Sequence, residues 1–238
     1  MDHLKNINLE SIITKYSQNS DVLGILLFGS VAKGNMDELS DIDIYVITSR
    51  APSKSREQFI HDGRVVDVLF DSVKEIKLLI KEEVNSVHRN VSSMIGSSRI
   101  LYSNSNDPQN LIDLAYRSLA TKTTYSDDEL IMHRYSIDDY LSNAKRECKN
   151  RNQTGFYFSC FYIIQNSMDL LLKINGDYYR KPSESQSIIN SIDADFISLL
   201  NDFYEASSLD KKLGAISLVA QHVLQKTGGL PLEWQIKK

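Results

Sequence analysis

The sequence predicts an α+β protein in which a mixed sheet with helices is followed by a helical bundle. In the first 107 residues, short apolar runs, one of them alternating with acidic residues, are bounded by turn residues, which is typical of strands. From residue 108 onwards, apolar residues recur instead at helical spacing in five successive segments. We therefore predict two domains, at residues 1–107 and 108–238.

The first domain is expected to begin with a helix that packs on the first strand. Asn19-Ser20-Asp21 ends the helical spacing, and Ser30 begins a short helix after the strand. The turn at Asp62-Gly63 leads into another strand, and the polar segment 51–57 before it is expected to be a surface loop. The remaining predicted elements are the helices 3–18 and 73–87 and the strands 22–28, 41–46, 59–61, 65–70 and 99–102.

The second domain is expected to be built from helices alone. Ser126 and Glu129 form the sequence pattern of a capping box, and Asn175-Gly176 is typical of a helix end. The segment that contains Phe158 and Phe161 is apolar on nearly every side, so we expect it to be the buried centre of the bundle. The predicted helices span 109–122, 127–150, 153–174, 185–206 and 209–226.

The composition of the chain argues against several partners and sites. The net charge of −4 argues against nucleic acid as the main partner, because counterion release favours basic surfaces. Cys148 and Cys160 lie in no CxxC pattern and near no histidine cluster, so neither a zinc site nor a disulfide framework is predicted. No apolar stretch has transmembrane length, and the N-terminus does not resemble a signal peptide. We expect a cytoplasmic protein without a membrane partner. The sequence does not determine the oligomeric state, and a homodimer is compatible with it.

Residues 25–46 contain the pattern on which the functional prediction depends. An apolar run ends at Gly29-Ser30, and a strand follows in which acidic and aliphatic residues alternate from Asp41. The strand period of two places Asp41 and Asp43 on one face, about 7 Å apart. Two such carboxylates are suited to a hard divalent cation, and Gly29 allows a phosphate to approach the backbone closely. The structural alternative is that both aspartates lie on the solvent side of an edge strand.

Gly-Ser followed by Asp-x-Asp between aliphatic residues resembles the signature of the DNA polymerase beta-like nucleotidyltransferase superfamily. The resemblance covers about the first hundred residues, and Asp67 matches the third carboxylate of that family. It implies Mg²⁺ as metal, ATP or another nucleoside triphosphate as co-substrate, and Asp41, Asp43 and Asp67 as catalytic metal ligands. For Lys33, an exposed position in a short helix is the structural alternative. The implied phosphate-binding residues are Gly29, Ser30 and Lys33.

A helical domain after such a catalytic domain resembles the antibiotic-type nucleotidyltransferases, of the kanamycin and lincosamide kind. This resemblance implies transfer of a nucleoside monophosphate, AMP from ATP, to a hydroxyl of a small molecule such as an aminoglycoside or lincosamide. Two alternatives are an enzyme of toxin–antitoxin type that modifies a protein, and a non-catalytic nucleotide-binding module. The absence of a Walker A pattern disfavours a P-loop kinase.

One residue of the second domain is a further catalytic candidate. A helical projection of 127–150 places Arg134, Asp138 and Lys145 within the apolar arc, and Asp139 opposite to it. Because buried charges need partners, Asp138 is predicted to line a cleft and to contact the acceptor, as a general base or as a partner for a cationic group on it. The structural alternative is a pair of Arg134 and Asp138 on the helix surface.

Overall fold

The computed structural model describes residues 8–231 and 233–235. The chain divides into two compact units, of which the first ends at Thr121 and the second begins at Lys122. The predicted α+β class is confirmed, since a mixed sheet with helices is followed by helices alone. No described helix has the length and apolarity that a membrane span requires.

The described part of the first unit contains one sheet of five strands in the order β3-β4-β2-β1-β5. Strands β2 and β4 are parallel, whereas the other neighbouring strands are antiparallel. The segment 56–61, of which residues 56 and 57 were expected in a loop, forms the edge strand β3. The strands are β1 (Val22–Phe28), β2 (Ile42–Thr48), β3 (Arg56–His61), β4 (Arg64–Ser72) and β5 (Arg99–Ser103).

Both faces of this sheet are covered by apolar clusters. Successive residues of its central strands point to opposite faces and so contribute to both clusters. Ile25 and Leu27 of β1 join the apolar cluster that contains Ile12 of the first helix. Leu26 joins the cluster on the other face, together with Ile76 of a later helix. The first predicted helix begins at residue 9 in the structure, and residues 1–7 lie outside the described part. The helices are α1 (Leu9–Ser17), α2 (Gly29–Ala32), α3 (Val73–Glu83), α4 (Asn90–Gly96) and α5 (Asp107–Ala120).

The division between the units lies after Thr121, whereas the sequence placed it after residue 107. The reason is the packing of α5. Leu111 and Ala115 of this helix are completely buried in the cluster that contains Leu26 of β1. The amphipathic pattern of α5 was visible in the sequence, but the surface that it covers was not.

The second unit consists of five described helices. The predicted helix 185–206 is two helices, because Asp193 interrupts it and caps the second one by accepting a hydrogen bond from the backbone N–H of Phe196 (3.0 Å). Asp193 is buried and also contacts His222 (2.8 Å) and Lys226 (3.1 Å) of the last helix. The helices are α6 (Asp127–Lys149), α7 (Gln153–Asn175), α8 (Pro182–Ile192), α9 (Ala194–Glu205) and α10 (Leu209–Lys226).

Helix α7 is buried on one side and exposed on the other. Phe156 and Ile163 are completely buried, whereas Phe158 and Phe161 are 63% and 59% exposed. The expectation of a helix buried on every side was therefore wrong. Helices α6, α8 and α10 contact the buried side, and apolar composition alone does not reveal how many neighbours a helix has.

A buried arginine connects three segments of the first unit. Arg89 is 1% exposed, and its guanidinium donates to the carbonyl oxygens of Ser118 (2.7 Å), Thr121 (2.9 Å), Val84 (3.0 Å) and Ser86 (3.3 Å). It thereby joins the end of α5 to the segment after α3. A buried charge is tolerated here because several carbonyl groups solvate it.

We expect Arg89→Met to lower the free energy of unfolding by about 3 kcal/mol, because the carbonyl groups lose a charged donor and remain buried. Urea denaturation followed by circular dichroism measures the loss. Arg117→Met is the matched control, since Arg117 lies on α5 but is exposed, and it should change the stability by less than about 0.5 kcal/mol. Equal effects of the two substitutions would contradict the structural role of Arg89.

Candidate active site

The register of neighbouring strands in the sheet brings two of the predicted carboxylates together. Asp43 of β2 lies opposite Asp67 of the parallel strand β4 and opposite Phe28 of the antiparallel strand β1. Residues in register on neighbouring strands point to the same face. Asp43 is partly buried, and the side chain of Asp67 is 13% exposed. The two carboxylates are therefore neighbours with limited access to solvent.

The backbone of Gly29 lies directly against one of these carboxylates. A Cβ atom at this position would lie 2.0 Å from Oδ2 of Asp43, which is far inside the contact distance of two atoms. Gly29 also has a φ of +73°, a conformation that side chains disfavour. Only glycine fits both requirements. The end of β1 is thereby held close to Asp43.

The short helix α2 places the other predicted phosphate-binding residues. Ser30 is its second residue and is partly buried, and Lys33 is its C-cap. Val31 is completely buried in the cluster beneath the sheet, so it anchors this turn. The backbone N–H of Asn35 donates to the carbonyl oxygen of Ser30 (3.0 Å), which closes the turn.

Asp41 lies at the rim of this site. It is exposed and directly precedes β2, which begins at Ile42, so it is outside the strand in which the sequence placed it. Among the described residues, no three histidine, cysteine or acidic side chains form a group that could hold a metal ion. The strand register therefore brings Asp43 and Asp67 together, whereas Asp41 lies outside the strand, two residues before Asp43.

Arg56 is a site residue that the sequence interpretation missed. Its Nε donates to Oδ1 of Asp67 (2.7 Å) and its Nη2 to Oδ2 (2.5 Å), which is the bidentate geometry of a strong ion pair. The hydrogen bond to Asp67, the charge of Asp67 and the charge of Asp43 raise the pKa of Arg56. A cation thus already partly offsets the charge of the two aspartates.

The turn that follows β3 contained the signal for Arg56. Asp62 and Gly63 both have positive φ, and Asp-Gly is the preferred sequence of a two-residue hairpin turn, which fixes the strand register. Counting from that turn, Gln58 lies opposite Asp67 and Arg56 lies opposite Leu69. Arg56 is then two positions from Asp67 along the neighbouring strand, which is within the reach of a long side chain.

Asp138 belongs to the second unit. It lies on α6 and is exposed, as are its neighbour Asp139 and Lys145. The buried face of α6 is formed by other residues, among them Ile137 and Leu141. No hydrogen bond or ion pair joins Asp138 to Arg134 in the described part of the chain, although the Nε atom of Arg134 is buried and has no hydrogen-bond partner there.

Comparison with known proteins identifies the first unit. Residues 10–107 match the sequence model of the family described as Polymerase beta, Nucleotidyltransferase. This segment is a nucleotidyltransferase-fold domain. It contains Gly29, Ser30 and all three predicted catalytic aspartates of the first unit, and it ends where α5 begins. None of the curated proteins matches the chain.

A solved structure has a similar fold over both units. It is a nucleotidyltransferase-like protein from Exiguobacterium sibiricum, with a TM-score of 0.57 and 12% sequence identity. The similarity covers 92% of this chain and 73% of that chain. At this identity the similarity shows the fold, so the chemistry must be argued from the residues of the nucleotidyltransferase domain.

Proposed function

We propose that this protein is an Mg²⁺-dependent nucleotidyltransferase that moves AMP from ATP to a hydroxyl of a small molecule and releases pyrophosphate. The observation that supports this proposal best is the placement of Asp43 and Asp67 side by side, with the backbone of Gly29 against Asp43. Carboxylates on a rigid sheet next to a close backbone turn are what the binding of a metal-bound triphosphate requires.

The residues fit a magnesium ion. The donor set consists of carboxylate oxygens, which Mg²⁺ prefers, and this ion is usually held by one or two carboxylates together with substrate phosphates and water. A preassembled group of three protein ligands is therefore not needed. Asp43 and Asp67 would hold the ion, and Asp41, which is exposed two residues before Asp43, would complete the set when the nucleotide binds.

Each residue then has a defined part in the transfer. The ion would offset the charge of the triphosphate and favour deprotonation of the acceptor. Gly29 allows close approach of the terminal phosphates, while the hydroxyl of Ser30 and the ammonium group of Lys33 would bind them. The acceptor oxygen forms a bond to the α-phosphorus, the bond to pyrophosphate breaks, and the acceptor proton passes to a carboxylate, either that of Asp138 or that of Asp67.

We assign binding of the acceptor to the second unit. This assignment is supported by the order of the two units, a nucleotidyltransferase domain followed by a helical unit. The same order is the basis for expecting an aminoglycoside or lincosamide as acceptor. Asp138 remains the candidate in this unit for a base or for a partner of a cationic group on the acceptor. Its exposure on α6 makes it accessible to a bound molecule.

A direct experiment tests the reaction. The full chain is incubated with ATP, Mg²⁺ and a panel of aminoglycosides and lincosamides, and products are analysed by mass spectrometry. The expected result is an acceptor that gains the mass of AMP, with pyrophosphate released in equal amount. Pyrophosphate release without a modified small molecule, together with a modified protein in the same assay, would instead indicate a protein acceptor.

The ion pair of Arg56 and Asp67 favours one second candidate, a nucleotide-binding module without catalysis. Each carboxylate oxygen of Asp67 accepts a hydrogen bond from the guanidinium, and each keeps a further lone pair. Arg56 therefore competes with a metal ion for the charge of Asp67 but does not block it. The side chain of Arg56 is 62% exposed, which leaves it room to move. Catalysis requires that a metal binds Asp67 in competition with Arg56, whereas simple nucleotide binding does not.

We expect Arg56→Gln to strengthen the binding of Mn²⁺, used as a probe for Mg²⁺, by about fivefold to tenfold, because Asp67 loses a competing cation. Electron paramagnetic resonance or calorimetric titration measures this affinity without any turnover. Arg50→Gln is the matched control, since Arg50 also donates two hydrogen bonds to a carboxylate, both to Oδ2 of Asp21, outside the site. An unchanged Mn²⁺ affinity in Arg56→Gln would contradict the competition between Arg56 and a metal ion for Asp67.

A further inference from the structure

The second unit contains a groove that no part of the proposed reaction uses. Its volume is about 450 Å³, which is within the range of small-molecule sites. The segment after α7 forms one wall, and helices α8 and α9 form the others. Its apolar lining includes Ile189, Ile197 and Leu200, and its polar lining includes Arg180, Gln186 and Asn201.

The walls of the groove are held by hydrogen bonds within the unit. The hydroxyl of Ser185 accepts from the backbone N–H of Arg180 (2.8 Å) and donates to its carbonyl oxygen (3.0 Å). The hydroxyl of Tyr179 donates to Asp169 (2.8 Å). Burial and the charge of Asp169 raise the pKa of Tyr179, so this donor stays protonated. The groove therefore exists before any ligand binds, which lowers the entropy cost of binding.

Arg180 lines the groove and carries hydrogen-bond donors. Its guanidinium lies over the ring of Tyr178 at 4.1 Å, and its Nη1 donates to Asp177 (2.8 Å) and to the carbonyl oxygen of Tyr178 (3.1 Å). Its Nε and Nη2 donate to none of the described residues. The side chain is 29% exposed. A fixed, partly desolvated guanidinium with N–H groups remaining is suited to a hydrogen-bond acceptor on a ligand.

We propose that this groove binds a small amphipathic molecule, whose apolar body lies on the partly buried residues Ile197 and Leu200 and whose hydrogen-bond acceptor group contacts Arg180. The concave shape favours such a ligand, because a groove covers more of a small molecule than an exposed helix face does. Phe158 and Phe161 of α7 form such an exposed helix face in the same unit. The inference stands independently of the proposed transfer reaction.

Two fluorescent probes test this proposal on the full chain. Anilinonaphthalene sulfonate has an aromatic body and an acceptor group, whereas N-phenylnaphthylamine has a similar body without the sulfonate. We expect one site for each probe. Arg180→Gln should weaken the sulfonate probe about tenfold and leave the binding of N-phenylnaphthylamine unchanged.

Substitutions at exposed positions locate the bound probe without a risk to folding. Asn201 is exposed and lines the groove, so Asn201→Trp should fill the groove and abolish binding of both probes. Asn190→Trp, at an exposed position of α8 that does not line the groove, is the matched control and should have no effect. Binding that survives Asn201→Trp, or that is lost in Phe161→Ser, would place the probes on α7 and overturn the proposal.

Discussion

Replacing Asp43 by asparagine is expected to reduce nucleotidyl transfer by about 10³-fold, because the proposed metal site loses one of its two neighbouring carboxylates. Asp43 is the only one of the three aspartates that contacts both partners of the site, since it lies opposite Asp67 and against the backbone of Gly29. The measurement is pyrophosphate release at saturating ATP, accompanied by Mn²⁺ titration. Both turnover and Mn²⁺ affinity should fall.

The control for this substitution is Asp62→Asn. Asp62 is an exposed carboxylate of the same unit in the turn between β3 and β4, so its replacement changes the net charge equally without touching the site. It should retain the full turnover and Mn²⁺ affinity. Near-normal turnover of Asp43→Asn, with an unchanged fold by circular dichroism, would remove the metal site from Asp43.

The carboxylates of the first unit were predicted on two grounds: strand periodicity for Asp41 and Asp43, and resemblance to the nucleotidyltransferase superfamily for Asp67. Alternation from Asp41 predicts that Asp41 and Asp43 share one face of a strand, and a glycine at the end of the preceding apolar run marks a close backbone approach. The match of residues 10–107 to the nucleotidyltransferase family supports that interpretation. What periodicity does not contain is the pairing of strands, so the neighbourhood of Asp43 and Asp67 appears only once β2 and β4 are placed in parallel register.

Arg56 was missed for a local reason. The segment around it is polar and contains Pro52 and several serines, so its composition indicated a loop, whereas pairing with β4 makes it the start of an edge strand. Tertiary pairing overrode local propensity here. An interpretation that extended the register back from the turn at Asp62-Gly63 would have placed Arg56 near Asp67.

The helical unit was predictable in its elements but less so in its packing. Capping signals such as Ser126 with Glu129 are present in the structure as a complete capping box, because they depend on neighbours in sequence. Burial depends on neighbours in space, so Phe158 and Asp138 are both exposed although the sequence placed one in a core and the other in an apolar arc. Whether a charged residue of α6 is buried or exposed therefore has to be taken from the structure.

Replacing Gly29 by alanine is expected to abolish transfer although it adds a single methyl group. The new Cβ would lie 2.0 Å from Oδ2 of Asp43, so either the carboxylate or the backbone of the turn must move. Displacement of reacting groups by about 1 Å can reduce the rate about 100-fold, and loss of Asp43 as a ligand would reduce it further. Mn²⁺ titration and pyrophosphate release measure the two effects.

Gly34→Ala separates the steric effect from backbone strain. Gly34 has nearly the same φ, +74°, but among the described residues other than its two chain neighbours none has a heavy atom within 4 Å of a Cβ built there. Both alanine variants should therefore lose about 1 kcal/mol of stability, since a side chain disfavours positive φ. Only Gly29→Ala should also lose Mn²⁺ binding and turnover. If both variants keep Mn²⁺ affinity and activity, the close approach of Gly29 to Asp43 is not part of the site. If Gly29→Ala alone loses them, the site requires the contact between the backbone of Gly29 and the carboxylate of Asp43.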